Sequence, residues 1–127
     1  MNTFKLITIV TLIVAAPAWS GSLTGPQKNA VRSVNDYLSM TGFSRTGLIN
    51  QLSSEYGSGY SINDATIAVD SLRRNWDNEA VRSANEYLKM MGFSCNGLID
   101  QLSSDAGSNY TQSQANYGAS KAGAYSD

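Results

Sequence analysis

The stretch Met40–Tyr60, MTGFSRTGLINQLSSEYGSGY, returns fifty positions later as Met90–Tyr110, MMGFSCNGLIDQLSSDAGSNY. Extending the comparison to Ala30–Tyr60 against Ala80–Tyr110 gives 21 identities over 31 positions without a gap. A repeat of this length in a short chain marks one small packing unit used in tandem. Each unit is too small to be more than marginally stable alone, so the two are expected to pack together.

Each unit reads as three short helices. In the first, Ala30, Val31, Val34, Tyr37 and Leu38 recur at helical spacing and predict one buried stripe, with Ala80, Val81, Ala84, Tyr87 and Leu88 as its second copy. Gly42 and Gly92 follow where a helix would end in a left-handed turn. Ser44 and Ser94 are placed as N-caps of the next helix. Phe43 with Leu48, and Phe93 with Leu98, have hydrophobic-staple spacing. Leu48, Ile49 and Leu52 then form an apolar face repeated by Leu98, Ile99 and Leu102, closed by Gly57 and Gly107. The motif GFSxxGLIxQLSS is therefore chiefly a turn-and-cap device rather than a ligand site.

The third helix is expected to start at Ser61, with Asp64 completing a capping box and Ala65, Ala68, Val69 and Leu72 facing inward. In the second copy Thr111 and Gln114 keep the box, but the stripe becomes Ala115, Gly118, Ala119 and Ala122. Losing a buried Val and a buried Leu removes about 3–6 kcal/mol of packing, and a helical Gly costs about 1 kcal/mol more. This helix is expected to fray, or to be held by another contact such as Tyr117 or Tyr125. Between the units, Arg73–Asn78 is a brief linker with Asp77 as the next cap and Trp76 in the joint.

The chain opens with Lys5 as the only charge ahead of LITIVTLIVAA, Leu6–Ala16. That run is short of the ~20 residues that cross a bilayer. It suits a secretory signal, with cleavage after Ser20 or Ala18; an uncleaved anchor over Phe4–Trp19 is the other reading. Both imply export. The expected organisation is a signal peptide over 1–20, a first repeat over 28–72, a second over 77–122 with a weakened third helix, and a disordered tail over 123–127. The fold class is all-α, two tandem three-helix, helix-turn-helix-like repeats.

Composition excludes much chemistry. The chain has no histidine and one cysteine, and its net charge is −1. Without histidine there is no Ser-His or Cys-His pair and no His-containing zinc site. One cysteine cannot form an internal disulfide. The carboxylates lie scattered on polar faces, where none gains the apolar setting that acid–base work needs, so a secreted hydrolase is the most remote reading. The helix-turn-helix shape suggests DNA binding, but the segments Arg45–Gly57 and Cys95–Gly107 hold one basic residue between them, and phosphate contacts need clustered cations. Cys95 stands where the first copy has Arg45, at a helix start that would favour a thiolate; a drifted surface position is the simpler account. No catalytic, metal or cofactor residue is expected.

The residues Tyr37–Leu38, Phe43–Ser44, Gly47–Ile49, Gln51–Ser54, Gly57 and Tyr60, then Ala65, Ala68, Val69 and Leu72, together resemble the repeat of the Ltp-type host-cell-surface-exposed lipoproteins. The resemblance implies a compact helical tandem displayed outside the cytoplasmic membrane. It implies no enzyme activity, and a role in phage superinfection exclusion: blocking DNA injection by contact with a protein partner such as the incoming phage's tape-measure protein. No nucleic-acid partner is implied. This sequence departs from the family in having no cysteine beside the cleavage site, so any membrane attachment is expected only through an uncleaved signal. A partner-binding face is expected among polar residues beside the motif: Asp36, Asn50, Gln51, Glu55 and Asp70 in the first repeat, and Glu86, Asp100, Gln101 and Asp105 in the second. Such an acidic face would suit a basic segment. The rival reading is an envelope- or cell-wall-binding module with no phage role.

Overall fold

The computed structural model describes residues 22–123, so the leader, Tyr125 and nearly all of the tail lie outside the described residues. The described part is α-helical. The first repeat contains α1 (Gly25–Met40), α2 (Arg45–Ser53) and α3 (Ile62–Ser71); the second contains α4 (Trp76–Met90), α5 (Cys95–Ser103) and α6 (Gln112–Lys121). Each repeat wraps its own core. Ala30, Val34, Leu38, Leu48, Leu52, Ala65, Ala68 and Val69 are buried in the first. Ala80, Ala84, Leu98, Ile99, Leu102, Tyr110, Ala115 and Ala119 are buried in the second. The predicted stripes are thus the packed faces, except that Val81 lies outside the second core, beside Tyr117.

Caps set the boundaries. Ser44 and Ser94 accept from the amides of Gly47 and Gly97, both at 2.9 Å. Ser61 caps α3, but the Asp64 carboxylate does not return the bond. It accepts from Gln27 Nε2 on α1 at 3.0 Å instead, tying two helices together. Thr111 and Gln114 form the full reciprocal box. The cap of α4 is Asn75, not Asp77, because the Asn75 side chain reaches the Asn78 amide at 3.1 Å while Asp77 already lies in the first turn. Helix α1 starts earlier than apolar spacing alone indicates, since Thr24 and Gln27 make a capping box with proline just inside it. Trp76 packs against the first core from the start of α4.

The inner side chains of each repeat are oriented by the same polar contacts. Tyr37 and Phe43 meet edge to face with centroids 5.8 Å apart, as do Tyr87 and Phe93 at 5.8 Å. The Tyr37 hydroxyl bonds to Ser58 and that of Tyr87 to Ser108, each at 2.8 Å. Gln51 and Gln101 donate to the same two phenols at 3.5 and 3.4 Å. The bonds with Ser58, first, and then Gln51 hold the Tyr37 phenol below its usual pKa. The repeated motif residues are therefore used in building the unit.

The glycine expectations change, and the last helix is held by a contact other than the tyrosine expected as one alternative. Gly42 and Gly92 are not left-handed: positive φ among glycines falls at Gly59 and Gly123. The chain leaves α1 and α4 through extended Thr41 and Met91. The left-handed residue of the loop after α2 is Gly59 (φ 70), matched after α5 by Asn109 (φ 59). Helix α6 forms over ten residues, as α3 does. It compensates for its small side chains by proximity: a Cβ on Gly118 would sit 2.7 Å from the Ala80 carbonyl carbon and oxygen on α4. Tyr117 faces outward beside Val81 and Lys121 and does not anchor the helix.

Tyr110 gives the second core a pH limit. Burial pushes its phenol well above the ordinary value of 10.0; its bond with Ser83 acts the other way, and the Glu79, Glu86 and Tyr87 charges add to burial. The folded state thus prefers the neutral phenol. Its contribution is intact below pH 10, the ordinary value. It is lost as the pH rises further and the unfolded chain ionises first. Urea stability should be flat with respect to this group up to pH ~9.5 and then fall by about 1.4 kcal/mol per pH unit. Tyr110→Phe should remove that steep alkaline limb, at a cost of about 1–2 kcal/mol at neutral pH for the lost bond to buried Ser83. An unchanged alkaline limb in the variant would show that another group causes it.

Candidate functional site

The two repeats meet at a polar joint. The turn after α1 enters the second repeat, where the Thr41 hydroxyl and the Gly42 amide both donate to the Glu86 carboxylate, the latter at 3.0 Å. The Ser44 hydroxyl, while capping α2, donates to the Ser108 carbonyl. Arg82 donates to the Leu38 carbonyl at the end of α1 and pairs with Glu86 at 3.2 Å. Gly42 is required by the closeness of this contact, since a Cβ there would lie 2.5 Å from Ser83 Oγ. Beneath it the buried Glu79 carboxylate sits between Arg74 at 3.8 Å and Arg82 at 3.7 Å.

Beside the joint lies a cleft of about 530 Å³ that both repeats line. Asn50 and Gln51 of α2 and the exposed ring of Tyr56 form one wall; Tyr87, Asp105 and Asn109 form the other. The walls offer amides, phenols and one carboxylate. One carboxylate is not the pair that glycoside hydrolysis uses, and the chain has no histidine to act as a base. The cleft suits recognition of a polar chain. Tyr56, wholly exposed on its rim, has the size and amphipathic character of an interface anchor.

Of the nine residues expected on a binding face, the structure brings together Asn50, Gln51 and Asp105 in this cleft. Glu86 belongs to the joint: its carboxylate is taken up by Thr41, Gly42 and Arg82, which corrects its placement on a free face. Asp70 is paired with Arg45 through two bonds of 2.7 and 2.9 Å. These bonds raise the Arg45 pKa further and occupy the single basic group of the two segments considered for DNA contact. The second copy has lost both partners together, as Cys95 and Ser120, and Cys95 packs half-buried against the second core. Asp36, Glu55 and Asp100 are exposed outside the cleft, and Gln101 supports Tyr87. Sequence reasoning overlooked Tyr56. The available signal was a difference between the copies, since Ala106 takes its place in the second.

The family of host cell surface-exposed lipoproteins, Lipoprotein_Ltp, matches residues 26–72 and 75–121, one match on each repeat. The chain belongs to this family. It is an exported protein by that membership, and no helix among its described residues is long and apolar enough to cross a membrane. A solved structure described as Ltp, a superinfection exclusion protein from the Streptococcus thermophilus temperate phage TP-J34, is similar to it with a TM-score of 0.69 and 25% sequence identity. The similarity covers 78% of this chain and 97% of that one. No curated protein matches the chain in sequence.

Proposed function

We propose that this Ltp-family protein protects its host from superinfecting phage by blocking DNA entry, as a binding protein without a catalytic step. The observation that carries this reading is the similarity to a superinfection exclusion protein across both repeats and nearly all of that protein's length. Surface exposure of the family supports it, because a protein outside the membrane meets the phage before its DNA arrives. The inter-repeat cleft is the proposed contact. Asp105 supplies negative charge, Asn50 and Gln51 supply amides, and Tyr56 supplies a ring, a set that takes an extended, partly basic peptide segment. A phage protein that crosses the envelope with the DNA, the tape-measure protein, is the proposed source of that segment.

The test is phage challenge of a host expressing the full chain, with adsorption and DNA entry scored separately. Normal adsorption with blocked entry is the expected result. Tyr56→Ala, and separately Asp105→Lys, should reduce protection about tenfold or more while leaving the thermal midpoint unchanged, since both residues are exposed. Unhindered entry across a broad phage panel would retire this reading in favour of an envelope-binding module.

A further inference from the structure

The joint between the repeats consists of a corner and a socket. The corner is the turn after α1, which presents the Leu38 carbonyl, Gly42 and Ser44. The socket is the α4 face carrying Arg82, Ser83 and Glu86, together with the loop at Ser108. Because the repeats are copies, the chain carries one more corner and one more socket than the joint consumes. The second corner holds Leu88, Gly92 and Ser94; the second socket holds Arg32, Ser33, Asp36 and Ser58.

Both are open among the described residues. A Cβ at Gly92 would meet nothing within 4 Å, whereas one at Gly42 would strike Ser83 at 2.5 Å. Ser94 is exposed, whereas Ser44 is 1% exposed. Met91 stands 59% exposed at the open corner. At the other end Arg32, Asp36 and Ser58 are exposed. Repeat arrays ordinarily end in polar caps, and a bare methionine where the joined corner has Thr41 departs from that pattern.

We propose that the open corner of one molecule docks into the open socket of a second copy, reproducing the polar contacts of the joint within the chain. Three of its contacts have the same residues available: Gly92 against Ser33, the Ser94 hydroxyl to the Ser58 carbonyl, and Arg32 to the Leu88 carbonyl. The fourth is altered, and the packing of Trp76 on the first core has no counterpart, since Pro26 takes its place. Asp36 replaces Glu86 and is one methylene shorter, and Met91 replaces Thr41 and brings no hydroxyl, so the Gly92 amide is left as the donor. The contact is heterologous, and its repetition builds a row of molecules. Within the chain the short linker supplies a millimolar effective concentration that separate molecules lack. Association is therefore weak, at roughly 0.1–1 mM, and favours crowded display at a surface.

Sedimentation equilibrium of the protein recovered from its host in exported form, from about 10 μM to about 1 mM, brackets that range. The average mass should rise with concentration. Gly92→Leu should abolish the rise without changing the thermal midpoint, because its Cβ meets nothing within 4 Å in the molecule but collides in the socket. Met91→Thr with Asp36→Glu, which restores the polar residues of the intrachain joint, should tighten association about tenfold, a step of about 1.4 kcal/mol. A wild type monomeric at the highest concentration, association that survives Gly92→Leu, or a double variant no tighter than wild type would each overturn the proposal.

Discussion

Gly118→Ala should destabilise the protein by about 2 kcal/mol, although alanine is the better helix former by about 1 kcal/mol. Two effects oppose each other at this position. Intrinsic propensity favours any residue over glycine inside α6. Against it, the new methyl would lie 2.7 Å from the Ala80 carbonyl carbon and oxygen and 3.0 Å from the Ala80 Cβ. The first two of these are backbone atoms of α4, so no rotamer change relieves the collision and the helices must separate. Separation would uncover Ala84, Ala115 and Ala119, which close approach keeps fully buried. Ala80→Gly should not rescue the variant, because it removes only the longest of the three contacts. Urea unfolding measures the change, and hydrogen exchange of the α6 amides locates it. A stabilised Gly118→Ala would mean that α6 is not seated on α4 and would restore the frayed helix expected from its small side chains.

The largest loss is expected from Gly57→Ala, about 3 kcal/mol or more, and equally from Gly107→Ala. A Cβ on Gly57 would fall 2.0 Å from the Gln51 carbonyl oxygen, and one on Gly107 would fall 2.1 Å from that of Gln101. That same Gln51 oxygen accepts the Ser58 amide at 3.2 Å, a bond that folds the chain back under α2. The next bond, Tyr60 amide to Leu52 carbonyl at 2.8 Å, sets Tyr60 on the core. Displacing the turn thus unseats an aromatic ring as well as a helix end. For a marginally stable chain such a loss removes much of the folding free energy, and thermal melting should show a lowered midpoint or no folded baseline. Gly59, two residues on, gives the contrast. It carries the positive φ, but a Cβ there meets nothing within 4 Å, and Asn109 already occupies the matching position at φ 59. Gly59→Asn should be neutral within about 0.5 kcal/mol. A tolerated Gly57→Ala, or a damaging Gly59→Asn, would show that backbone freedom rather than close contact governs this loop.

The local organisation of each unit was legible in the sequence because its signals act over three or four residues. Ser44, Ser94, Ser61 and Thr111 cap where their spacing places them. The buried stripes follow helical periodicity. Position-by-position readings failed where the answer depended on a distant partner. Asp64 looked like half of a capping box and is held by Gln27, 37 residues away. The candidate binding face was legible only in part, for the same reason. Asn50, Gln51 and Asp105 reach the cleft, but Tyr56 was missed because an exposed tyrosine carries no local pattern.

By itself the sequence determined the duplication, the all-helical class, the caps of α2, α3, α5 and α6, most of both cores, and a family resemblance carried by those same fold-building residues. The tertiary structure alone decided how two nearly identical units become different. Gly42 and Gly92 share their local context, yet one is pressed against Ser83 and the other faces open space. Glu86 and Asp36 hold equivalent places, yet one binds the neighbouring repeat and the other is exposed. Capping and periodicity depend on neighbours along the chain, which duplication copies. Burial depends on which unit lies beside which, and a tandem of two has one joint and two unlike ends.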